Sequence, residues 1–254
     1  MTRKPTTRRA EADGTGGAGA IGVLIFVSGA VLMALEIAGS RVLAPVFGGS
    51  VFVWGSLIGI FLGAMSGGYW LGGWLSQRWP RQGLLNTLLA AAGGFILLLP
   101  LWAAPLCAAL ADLGPRSGPL SAALILFALP SLLMVVASPF AVRLRASDLE
   151  RVGAVAGRLY ALGTLGSIAG TLVTAFWLIP ALGVNAILTG IGALLVATTA
   201  LTLGRTGLPI LALGVGLLAL RLLVEPPMAL AQPAQGHFEL VERCAPGKCE
   251  ARGA

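Results

Sequence analysis

A single carboxylate, Glu36, stands inside an apolar run that extends over residues 21–38, and Arg41 follows shortly after it. At about 1.5 Å of rise per residue, Glu36 falls in the outer third of a hydrocarbon layer about 30 Å thick. An acid there costs on the order of 2.5–3.5 kcal/mol, so it must face the bundle interior and meet a partner. Arg41 lies on the wrong face of a straight helix to be that partner. Either the helix unwinds at Gly39, or the partner comes from elsewhere, and Arg221 at the outer end of the seventh helix is a candidate. Two chemistries fit: a binding site for a cation or a proton, or a structural ion pair that locks the first helix into the bundle.

Other side chains could do chemistry, each with a plain structural alternative. Tyr160, Thr164 and Ser167 form a polar stripe that could line a binding interior or simply hydrogen-bond between helices. Cys244 and Cys249 flank Ala-Pro-Gly-Lys, a turn-forming sequence that brings two cysteines within bridging distance, so the expectations are a small disulfide loop or two separate thiols. Cys107 reads as a small packed side chain. His237, the single histidine, reads as a solvated tail residue. No metal site and no cofactor is expected, because the tail supplies too few ligands.

The elements that must hold these residues follow from composition. The chain is 57% hydrophobic and 11% charged, with a mean hydropathy of +0.90, against about 25% charged residues in an ordinary soluble domain. The expected fold is all-α, a polytopic transmembrane helical bundle of about seven spans. A disordered basic arm covers residues 1–20, the helical domain 21–223, and a short extramembrane tail 224–254. The helices are expected at 21–38, 51–77, 84–110, 120–142, 155–182, 186–203 and 208–223. The net charge of +7 does not indicate nucleic acid, since the basic residues cluster at span ends and not in a stripe interleaved with aromatics. Before the tail, the amino arm and the even-numbered loops carry 11 Lys and Arg residues and the opposite side 3, which predicts a cytoplasmic amino terminus and a tail on the other face.

Packing signals are also present. Gly55, Gly59, Gly63 and Gly67 recur every fourth residue on the second helix, a small-residue stripe that lets another backbone approach. Gly166 and Gly170 on the fifth helix offer a matching surface, so helix 2 is expected against helix 5, with a homodimer seam or a sliding transporter interface as the alternatives. Pro100, Pro105, Pro130, Pro139 and Pro180 predict kinks. The six tryptophans fall mostly near span ends, as in an interfacial belt.

Two resemblances extend this reading. The turn Gly-Trp-Leu-Ser-Gln-Arg-Trp-Pro-Arg at 73–81 resembles the cytoplasmic signature loop of the major facilitator superfamily: Gly73, Arg78 and Arg81 match, while Gln77 stands where that family has Asp. The run LEIAGSRVLAPVFGGSVFVWGSLIGIFLGAMSGGYWLGGWL, with RLYALGTLGSIAGTLVTAFWLIPALGVN at 158–185, resembles the membrane domain of bacterial fused facilitator-type/spermidine-synthase-like proteins. That resemblance implies an inner-membrane location. In the family a soluble aminopropyltransferase-like domain follows, but here the residues after Leu223 contain no glycine-rich nucleotide loop, and Glu225, Glu239, Glu242 and Glu250 are too scattered to hold a polyamine. The chain is therefore expected to be non-catalytic alone and to bind or transport a small, cationic solute. The alternative is a membrane scaffold or anchor subunit. The expected partners are the lipid bilayer, a protein docked on the tail or the cytoplasmic loops, and a second copy in a homodimer; no nucleic acid is expected.

Overall fold

The computed structural model of the chain describes residues 8–146, 152–203 and 207–224. All regular structure among them is helical, as a bilayer demands of a chain whose backbone groups must be paired within each segment. α1 spans Arg8–Phe47 and runs unbroken through Gly39 and Arg41. The expected unwinding at Gly39 does not occur: the missing side chain admits the Phe127 ring, which would lie 3.2 Å from a β-carbon there. α1 ends at Gly48, whose φ of 72° is the left-handed conformation that favours glycine and whose N–H donates to the Ala44 carbonyl at 2.9 Å.

Ser50 is extended and starts α2, Val51–Arg78. Pro80 and the extended Arg81 separate it from α3, Gln82–Leu110. A 3-10 turn at Ala111–Leu113 and a positive φ of 87° at Gly114 reverse the chain into α4, Gly114–Val135. α4 folds back on α3, and the Leu110 carbonyl oxygen sits 2.9 Å from where a β-carbon of Gly118 would be. α5, Ala137–Arg145, follows a break at Val136. The helix expected at 120–142 is thus two helices, because Pro139 has no N–H to donate to the Val135 carbonyl one turn back. α6, Val152–Val173, passes into a wider π turn at Thr174–Leu178 and a short α7, Ile179–Ala181, in whose first turn Pro180 withdraws another donor. α8, Val184–Leu203, and α9, Leu208–Val224, complete the bundle.

Five stretches are long and apolar enough to cross a membrane: Gly19–Phe47, Val51–Arg78, Gln82–Arg145, Val152–Ala181 and Val184–Leu203. The third, at 64 residues, would reach about 96 Å as one straight helix. It is instead the folded α3–α4 pair with α5, and the apolar stretch Leu208–Leu220 in α9 is shorter than the five.

α1 occupies the centre, with Leu24, Leu35, Ala38 and Leu43 fully buried. Phe61 of α2 and Phe127 of α4 stack beside it with ring centroids 6.0 Å apart. The glycine seams differ from expectation. Gly166 and Gly170 of α6 press on the Phe26 and Ala30 backbone of α1, not on α2. In α2 the seam is made by Gly68 and Gly72, where a β-carbon would fall 2.8 Å from the Leu132 and Val136 carbonyl oxygens. Gly67 makes ordinary contact with Leu132, whereas Gly55, Gly59 and Gly63 have nothing within 4 Å. Sequence spacing identified neither the packed glycine face of α2 nor the partner of α6, since any two small-residue stripes satisfy the same rule.

Candidate functional site

Because α6 packs on α1, α2 and α6 flank α1 and leave space between them. A cavity of about 230 Å³ opens there, lined by α1, α2, α4, α5 and α6. Six hydroxyl side chains reach it: Ser28, Tyr69, Ser138, Tyr160, Thr164 and Ser167. Ser28 donates to the Ile25 carbonyl at 3.0 Å and Ser167 to the Gly29 carbonyl at 3.3 Å. The hydroxyls of Tyr69, Ser138, Tyr160 and Thr164 have no hydrogen-bond partner among the described residues and are available to a ligand. Both tyrosines of the chain line this one cavity.

A second cavity of about 390 Å³ lies toward the opposite end of α1, lined by Ser40, Arg41, Gly48, Gly49, Trp54 and Ala175 among others. Glu36 stands between the two. It belongs to neither lining, but Met33 of the first cavity lies three residues before it and Ser40 of the second four residues after, which on an α-helix is one turn along the same face. Glu36 is half-buried and has neither an ion pair nor a hydrogen bond among the described residues. Arg41 is exposed and lines the second cavity, with no ion pair to Glu36. The side chain of Arg221 lies outside the described residues.

The structure therefore brings Tyr160, Thr164 and Ser167 to one cavity, with Glu36 one helical turn beyond the lining residue Met33. Ser28, Tyr69 and Ser138 share that cavity and were not singled out from sequence: an isolated hydroxyl on an apolar helix carries no sign of what it faces. At the basic end of α2, the Arg78 guanidinium sits 5.8 Å from the ring centroids of both Trp74 and Trp79, which themselves meet edge to face at 6.1 Å. Arg81 is the extended residue before α3, and Gly73 faces open space. Cys107 is buried and unbridged. Cys244, Cys249, His237 and the tail carboxylates lie outside the described residues. Among the described residues no group of three His, Cys, Asp or Glu side chains converges.

No family model, curated protein or solved structure matches the chain. Its helices and their hydropathy define it as a helical, multi-span membrane protein.

Proposed function

We propose that this chain is a membrane module that binds a small cationic solute and passes it along the α1 face, with Glu36 as counter-ion. The observation that carries this reading is an acid inside an apolar span, one helical turn from each of two cavities, with no ion pair among the described residues. A carboxylate so placed is costly to keep charged unless a cation comes to it, so a passing cation offsets the cost of its own desolvation and that of Glu36 together. The unpaired hydroxyls of Tyr69, Tyr160 and Thr164 supply dipoles for the same guest. On this reading α1, α2, α3, α4 with α5, α6 with α7, α8 and α9 make seven crossings, with the arginine-rich ends in the cytoplasm. The resemblance of residues 30–200 to the membrane domain of spermidine-synthase-like fusions supports an amine as the guest and the bacterial inner membrane as the setting.

The test is binding of mono-, di- and polyamines to the purified chain in detergent and their uptake into proteoliposomes, with E36Q beside it. Binding and uptake should fall about tenfold or more in E36Q while the elution profile and thermal unfolding are retained. Equal binding by the two proteins, or no amine binding by either, overturns the reading.

A further inference from the structure

Every methionine among the described residues, Met33 of α1, Met65 of α2 and Met134 of α4, lines the same cavity of about 230 Å³. We propose that these three thioethers form a binding site for a soft monovalent metal ion of the cuprous class. Three different helices each contribute one sulfur to the cavity lining. Methionine in a core is commonly a flexible filler of gaps, yet here the gap beside it is unfilled. Met33 and Met65 are half-buried and Met134 is buried.

The chemistry of the lining selects the ion. It holds no cysteine, histidine or carboxylate, so a hard or doubly charged ion would have neither its preferred ligands nor compensation for its lost hydration. Thioethers suit copper(I), and a single positive charge is cheaper to hold in a lipid-embedded cavity. Tyr69 and Ser138 offer oxygen at the same wall. Glu36, one turn from Met33, supplies the balancing charge without being a ligand. The inference goes beyond the reading above, which names an amine: it gives the same cavity a second class of cation, whose binding stands without that reading.

The experiment uses the full chain with Cys107, Cys244 and Cys249 replaced by Ala, Ser and Ser, so that no thiol competes. Copper(I) under ascorbate is titrated against bicinchoninate, with silver(I) as a second soft probe and zinc(II) and magnesium(II) as controls. Copper(I) and silver(I) should bind, each of M33L, M65L and M134L should weaken binding about tenfold or more, and the triple variant should lose it. Leucine nearly conserves volume, and unchanged thermal unfolding identifies a folded variant. X-ray absorption of the copper-loaded protein should show sulfur ligation, a readout that packing alone would not produce. No copper(I) binding, binding unchanged in the triple variant, or equal retention of zinc(II) overturns the proposal. A chain that holds copper(I) through the methionines while its amine binding ignores E36Q keeps this site and loses the reading above. Amine binding that depends on Glu36 without copper(I) binding loses this site alone.

Discussion

Gly170 of α6 and the Ala30 carbonyl of α1 meet with no side chain between them, so closely that a β-carbon at Gly170 would occupy the space of the carbonyl group. Gly166 stands in the same relation to Phe26 one turn earlier. Lipid offers no hydrophobic gain for helix association, so close backbone packing must hold α6 to α1. That seam sets the width of the cavity between α2 and α6.

Substituting Val at Gly166 or Gly170 should therefore push α6 from α1 and destabilise the fold by about 1–3 kcal/mol. Gly59→Ala, at a position with nothing within 4 Å, should stay within about 0.5 kcal/mol of the parent. Thermal unfolding in detergent compares them. Equal losses at the three positions would mean that the seam is not where the chain is sensitive.

Asn86 of α3 donates from Nδ2 to the Thr199 carbonyl at 2.9 Å and to Thr202 Oγ1 at 2.7 Å in α8. Asn86→Leu should cost about 1 kcal/mol, the upper part of what interhelical hydrogen bonds contribute in membranes. Unfolding by denaturant in mixed micelles is the measure, and a neutral result would show that packing alone joins α3 to α8.

Thr174 is the opposite case. Its hydroxyl is buried in the π turn with no hydrogen-bond partner, so Thr174→Val removes an unsatisfied group with little change of shape. The variant should be as stable as the parent or gain up to about 1 kcal/mol. A clear loss in the same unfolding assay would reveal a polar partner for that hydroxyl.

The two ends of the bundle can be told apart by labelling. In a cysteine-free background, Gln77→Cys, at the basic end of α2, should react with an impermeant maleimide only in inside-out vesicles. Ser50→Cys, at the other end of the same helix, should react only in right-side-out ones. Both positions are exposed. Reaction of the two from one side would overturn the crossing of α2.

Much of this molecule was legible without coordinates. Helix content and membrane residence follow from hydropathy and run length, because lipid leaves an apolar chain no alternative to internally paired backbone. The first boundary was less plain: the helix expected over 21–38 runs on to Phe47 and turns at Gly48, whose left-handed conformation favours glycine. Proline effects were harder. Pro139 divides a helix whereas Pro100 and Pro105 lie inside an unbroken α3, and only the neighbouring helices determine whether a freed carbonyl opens the turn.

The residue types of the candidate site were equally plain in the chain order: one acid, two tyrosines and a few hydroxyls and thioethers in an otherwise apolar sequence. Their company was not. Met33, Met65 and Met134, or Tyr69 and Tyr160, are far apart along the chain: the methionines reach one cavity through the packing of α1, α2 and α4, and Tyr160 joins Tyr69 there because α6 packs on α1. Pairing of that kind depends on the summed fit of whole helix surfaces, a long-range quantity that no local pattern encodes. Chemical character and membrane residence belong to the sequence by itself, and the cavity belongs to the packing.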